Sequence, residues 1–288
     1  RSADAKELLD HLESDLRDRD AIPLLISVLG ARAMLAHGPN LGLAVAASAE
    51  AVALAEAIGQ PDLARLAGSS LAVAAGMMGD EATTRTAAAR LEARDDAFSH
   101  RGALIGLGAL ALGQGDLGAA LSACERLRDE HGVGTGPVRW EPEWAETLVR
   151  LNPREDAAAT LEQWGSAGYA DWALAGVARV RGMLAVDHDE AAEQFQLSIA
   201  ILQLARNPVG EGRTQLVWGE RLRRARRRGA AREHLERSHE LLTGCGAAVW
   251  VVRVEEEMRR ATGTVRGRNG SPTDLTDHDC LVAYRLDH

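Results

Sequence analysis

Leu107-Gly-Ala-Leu-Ala-Leu-Gly-Gln-Gly-Asp-Leu-Gly-Ala-Ala-Leu-Ser-Ala-Cys-Glu-Arg-Leu127 is the stretch that decides the fold. It reads as a helix, a break and a second helix. Leu107-Gly108, followed by Ala111, sets large and small residues side by side, so that a second helix can approach closely. Gly115-Asp116 makes the break: glycine tolerates positive φ, and aspartate caps the helix that follows. Ala120 is the small residue of the second helix at the crossing, and Cys124 and Leu127 continue its apolar face. The whole unit runs from Arg101 to His131.

The same phrase recurs along the chain. One copy has Leu71, Ala72, Ala75, Gly79-Asp80, Thr84, Ala88 and Leu91; another has Trp144, Ala145, Leu148, Ala157, Leu161 and Trp164. Gly182, Ala191, Phe195 and Ser198 mark a further copy, and Trp218-Gly219, Leu222, Ala231, Leu235 and Ser238 the next. A looser N-terminal copy has Ala44. The equivalent small residues Ala44, Thr84, Ala120, Ala157, Ala191 and Ala231 recur every 34 to 40 residues, close to the ~34-residue period of tetratricopeptide (TPR) repeats. The expected fold is all-α: a TPR-like right-handed superhelix of antiparallel helix pairs over residues 1–263, with an irregular helical bundle as the alternative. Residues 264–274, rich in Gly, Arg, Asn, Ser and Pro, read as a flexible linker. Residues 275–288 regain an apolar rhythm but are too few to fold alone.

Composition agrees with closely packed helices. Hydrophobic residues make up 46% of the 288, but aromatics only 3%, so the core is built from small side chains. Alanine loses no rotamer freedom in a helix, and a β-sandwich would ask for more Val, Ile, Thr and Tyr. The net charge of −9 argues against wholesale nucleic-acid binding. Cys124, Cys245 and Cys280 lie far apart, as expected of free thiols in a reducing cytoplasm rather than of a disulfide scaffold or zinc site. No apolar run approaches the ~20 residues that span a bilayer. Arg1 in place of Met implies a piece of a longer protein.

Three features resemble one family, the large ATP-binding LuxR-type transcriptional regulators of actinobacteria. The helical array resembles their central and C-terminal repeat region. Trp218-Gly-Glu-Arg-Leu-Arg-Arg-Ala-Arg-Arg-Arg228, then Ala231-Arg-Glu-His-Leu235 and Leu241-Leu-Thr-Gly-Cys-Gly246, resembles the last repeat before their DNA-binding domain. Leu275-Thr276 with Val282-Ala283 resembles the opening of the LuxR-type helix-turn-helix, with Asp279 where the family usually has Glu. The chain has no GxxxxGK[ST] phosphate loop and ends before a recognition helix. The resemblance therefore implies the effector region alone, a signal-receiving or protein-interaction module without catalysis. Its ATP would sit only in an N-terminal domain outside these residues, and no other cofactor is implied. A general TPR scaffold without a small-molecule ligand is the alternative.

No motif points to catalysis. Gly113-Gln-Gly-Asp-Leu-Gly118 matches GxGxxG, but a helix precedes it where a dinucleotide site needs a strand, so its glycines are expected at a repeat turn. Asp187-His-Asp-Glu190 reads as an acidic helix start favoured by the helix dipole, rather than as a metal site; Asp277-His278-Asp279 reads the same way. The repeat register expects Glu146, Arg150, Met183, Arg213, Glu220, Arg223 and Arg224 to be exposed on the concave face, where a small inducer or protein partner would bind. Arg221, Arg226, Arg227, Arg228 and Arg232 form a basic patch, either the solvated end of a helix or a docking patch for DNA backbone, for an acidic partner or for the absent ATPase domain. The tryptophans are expected in the core or, alternatively, as binding anchors. Ile22, Leu24, Leu25, Ile26, Val28 and Leu29 are more apolar than one amphipathic face requires. Their exposure would give a homodimer, and their covering by terminal helices a monomer.

Overall fold

The computed structural model describes residues 2–94, 96–132, 140–151, 156–159, 161 and 171–262. The proposed linker and the resemblance at 275–288 lie outside these residues, as do Cys280, Trp164 and the side chain of Trp172. The described chain is helical throughout: α1 (Ser2–Asp18), α2 (Ile22–Ala36), α3 (Leu41–Ala57), α4 (Pro61–Met78), α5 (Glu81–Glu92), α6 (Ala97–Gln114), α7 (Leu117–His131), α8 (Glu141–Leu151), α9 (Asp171–Leu184), α10 (His188–Leu204), α11 (Pro208–Arg224), α12 (Arg228–Gly244) and α13 (Ala248–Thr262). No strand occurs among the described residues.

The breaks follow from local chemistry. Asp80, Asp96 and Asp116 each accept a hydrogen bond from the backbone N–H three residues on, at 2.9–3.0 Å. Asn40 and Asn207 do the same for α3 and α11, which satisfies donors that a helix start leaves orphaned. Gly79 and Gly115 end α4 and α6 with φ of 93° and 80°, a conformation a side chain disfavours. The GxGxxG match is therefore a helix end, a turn and a helix start.

Consecutive helices pack as neighbours in two layers. The inner helices α2, α4, α6, α8, α9, α11 and α13 each touch the next in that series, and α3, α5, α7, α10 and α12 lie outside them. The repeat register holds in space. Ala44, Thr84, Ala120, Ala157, Ala191 and Ala231 are all at most 1% exposed. A Cβ on Gly182 would fall 2.7 Å from the Phe195 ring, and one on Gly219 would fall 2.8 Å from Leu235. Between α4 and α6 the backbones nearly touch. A Cβ on Gly106 would lie 2.6 Å from the Ala72 carbonyl oxygen, while Gly102 and Gly76 abut Ser69 and the Gly106 carbonyl.

This close spacing winds the inner layer back on itself. The last inner helix, α13, seats on α4 and α6, with Val249 against Gly79 and Gly113. The Leu41 N–H donates to the Cys245 carbonyl at 2.9 Å, and Val209 N–H to that of Gly38 at 3.4 Å. One core cluster accordingly joins Leu41, Leu112 and Ala120 to Leu216, Leu235, Trp250 and Val254.

At the N-terminal end the apolar surplus of α2 is largely covered. Leu25, Ile26 and Leu29 are buried with Leu16 of α1 and Ala47 and Ala51 of α3, whereas Leu24 is exposed. Leu25→Ala should cost about 2–5 kcal/mol in a denaturation series, while Leu24→Ala should stay within about 0.5 kcal/mol. Two glycine substitutions should move in opposite directions. A Cβ on Gly30 in α2 would have no atom within 4 Å, so Gly30→Ala should stabilise by about 0.5–1 kcal/mol. Gly106→Ala should destabilise by about 1–3 kcal/mol through overpacking.

Candidate functional site

The centre of the closed array is ionic. Glu146 on α8 is fully buried and accepts hydrogen bonds from three guanidiniums: Arg213 at 2.8 Å, Arg150 at 3.0 Å and Arg179 at 3.2 Å. Arg213 also donates to Glu143 at 2.9 Å, and Arg150 to Glu220 at 3.1 Å. Arg253 on α13 stands 3.7 Å from Glu220 and donates to the Leu112 carbonyl at 2.8 Å. That carbonyl lies in the last turn of α6, the negative end of the helix dipole. Trp250 is buried with Arg213 and Arg253 over its ring, 4.5 and 5.0 Å from its centroid.

Four guanidiniums, those of Arg150, Arg179, Arg213 and Arg253, thus share the carboxylates of Glu143, Glu146 and Glu220. Burial and the surplus of positive charge together govern the titration behaviour. Burial alone would push the Glu146 carboxyl up, but the charges of Arg213, Arg179, Arg150 and Arg253 outweigh it and hold the group well below the usual carboxylate range. Burial and the neighbouring Arg213 push Arg179 down. Burial and Arg150 bring Arg253 down to about 10. Burial also opposes the charge of Arg150, yet Glu220 and Glu146 raise it. Besides Glu220 at 3.7 Å, the Leu112 carbonyl and the Trp250 ring give Arg253 further partners.

The structure brings together four of the seven residues expected on the concave face: Glu146, Arg150, Arg213 and Glu220. Their expected exposure is corrected. Glu146, Arg213 and Glu220 are buried and Arg150 nearly so, because closure presses α8, α9, α11 and α13 against a common centre. Arg223 is half-buried and joins the rim by donating to Glu257 of α13 at 2.6 Å. Arg224 is exposed and reaches Glu220 at 3.5 Å. Met183 lies apart, packed near Phe195 and Trp218.

Glu143, Arg179, Trp250 and Arg253 were not among the expected residues. A signal for Arg179 and Arg253 does lie in the sequence. Glu146 pairs with Arg179 33 residues on, Glu220 lies 33 residues before Arg253, and Arg223 pairs with Glu257 34 residues on. An acid and an arginine one repeat apart occupy equivalent positions on adjacent inner helices and meet.

The basic patch divides. Arg221 donates to the carbonyls of Val186 and Asp187 at 3.2 and 3.1 Å, and Arg232 pairs with Glu236 at 2.8 Å. Arg226, Arg227 and Arg228 are exposed at the α11–α12 turn. Trp140 and Trp144 stack in a core cluster 5.6 Å apart, and Trp218 stacks on His234 at 3.9 Å. Cys124 and Cys245 are buried free thiols. Among the described residues no group of three acidic, histidine or cysteine side chains is placed to hold a metal ion, and no helix is long and apolar enough to cross a membrane. No family model and no curated protein matches the sequence.

Removing the central carboxylate should leave buried cations uncompensated. Glu146→Gln should cost about 3–5 kcal/mol at neutral pH, measured by denaturant unfolding. The pH dependence has a definite sign. The carboxyl titrates lower in the folded chain than in the unfolded one, where its pKa is about 4.3, so the unfolded chain binds more protons in the acid range. The stabilisation is complete above that value and is lost as pH falls through the folded-state one. Stability should therefore drop on acidification below about pH 4, with a shallower slope in Glu146→Gln.

Proposed function

We propose that the chain is a non-catalytic, cytoplasmic signal-receiving and protein-interaction module of a LuxR-type transcriptional activator, built on TPR-like repeats. The observation that carries this reading is the shared ionic centre. Arg150 divides its donors between Glu146 and Glu220, and Arg213 divides its own between Glu143 and Glu146. Such pairs can exchange partners at small positional cost. An anionic inducer or a partner's carboxylate that reaches the rim at Arg223 and Arg224 would compete for them and shift the inner helices. A signal-receiving element needs two arrangements whose balance a ligand can bias.

A second reading, a repeat scaffold with no small-molecule ligand, is favoured by the same centre being filled with the chain's own ion pairs. A thermal-shift screen against metabolites separates the two, because a ligand of the native state raises its melting temperature by mass action. Stabilisation that Arg223→Ala and Arg224→Ala both weaken supports an inducer at this face. No stabilisation by any metabolite favours the scaffold. The family assignment stands or falls on the coding sequence upstream of Arg1, where a GxxxxGK[ST] phosphate loop is expected.

These 288 residues by themselves should bind no defined operator. Contact of DNA with Arg226, Arg227 and Arg228 should be weak and fall steeply with salt, since it would rest on counterion release. A gel-shift series at rising salt measures both. Homodimer formation would use the exposed Leu24, Met34 and Leu35 of α2. Light scattering should then show a dimer that Leu24→Glu dissociates, whereas a mass held at 30.7 kDa at high concentration rejects it.

A further inference from the structure

A groove of about 330 Å³ opens between α3, α4 and α5, on the outer side of the array and away from the ionic centre. It is of the size that small-molecule sites take, at the lower end of their range. Its floor is apolar: Val52, Leu71, Ala87 and Leu91 are all buried or half-buried. Gly68 in its wall adds no side chain to that space. A Cβ on Gly68 would meet only the Leu91 Cδ2, at an ordinary 3.6 Å. Gly68 lies within α4, where alanine would be the better helix former, so its packing role here is to leave room.

The rim is cationic. Arg65, Arg90 and Arg94 line the groove, with Glu56 as the lining carboxylate. Their pairings are loose. Arg90 stands 3.2 Å from Glu56, and both side chains are more than half exposed, so water competes well for each. Arg94 stands 3.6 Å from Asp96, whereas Arg65, 3.5 Å from Asp96, also stands 3.6 Å from Asp62 and lies over the Phe98 ring. Asp96 is already engaged as the cap of α6: its two oxygens accept from the Ser99 N–H at 2.9 Å and the Ser99 hydroxyl at 2.7 Å. The guanidiniums therefore keep donors for an incoming anion, in a geometry that suits a carboxylate.

We propose that the groove between α3, α4 and α5 binds a small amphiphile with an apolar body and a carboxylate head. The apolar body lies over Gly68 between Val52 and Leu91, and the head meets Arg90 and Arg94 at the rim. This goes beyond the regulatory reading and does not depend on it, since the groove shares no residue with the ionic centre.

Octanoate, octanol and octylammonium present one apolar body with three heads, and each can be titrated calorimetrically into the full 288-residue chain. Octanoate should bind at least tenfold more tightly than octanol, and octylammonium should not bind. Gly68→Leu should fill the floor and abolish octanoate binding while circular dichroism and melting stay unchanged. Should that variant misfold, Thr86→Trp, from the exposed α5 wall, blocks the same space. Replacing Arg90 and Arg94 together with Gln should remove the preference for octanoate over octanol. The proposal is overturned if octanoate gives no heat, if octanol binds equally well, or if a folded blocking variant binds as the parent does. Any of these would leave the regulatory reading intact, because that reading is tested at Arg223 and Arg224 and upstream of Arg1.

Discussion

A carboxylate buried completely among guanidiniums sets the terms for the rest of this molecule. An isolated ion in the protein interior is costly, and Glu146 is tolerable only while Arg213, Arg150 and Arg179 surround it. Those three come from α11, α8 and α9, and Arg253, the fourth guanidinium of the centre, comes from α13. The centre therefore forms only when four inner helices hold one relative register. Apolar residues of similar volume would fill the same space without requiring any donor–acceptor geometry, whereas each guanidinium here must keep a carboxylate in reach. The fourth cation, 3.7 Å from Glu220, also turns to a helix-end carbonyl and a tryptophan face, and in this way the array accommodates four guanidiniums around three carboxylates.

That centre depends in turn on how sharply the array curves. Glycine, alanine and serine at the α4–α6 crossing let two backbones nearly touch. The α13 helix then lands on α4 and α6. The same curvature has opposite effects on the two sides. Inside, faces that would line an open groove meet and exclude water. Outside, a groove of ligand size opens between α3, α4 and α5, with Gly68 in its wall.

Local chemistry in the sequence carried most of the fold. The Gly115-Asp116 and Gly79-Asp80 breaks and the register of small residues from Ala44 to Ala231 were legible, because each is decided by neighbours within a turn or by a periodic face. Four members of the ionic centre were legible too, through the same register, as was the structural nature of the Gly113–Gly118 motif. The burial of those four was not. Nor was the covering of Leu25, Ile26 and Leu29, which depends on how α1 and α3 close over one side of α2.

What the sequence by itself determined is thus the helical repeat and which residues face inward, since helix caps and 3.6-residue periodicity act over short distances. Whether the inward face is open or closed was decided only by the tertiary structure. It depends on the rotation between successive helices summed over the whole array, and a small change at each crossing shifts α13 by the width of a helix. Only that sum places Arg253 beside Leu112, 141 residues away along the chain, and turns a row of expected surface charges into a buried core.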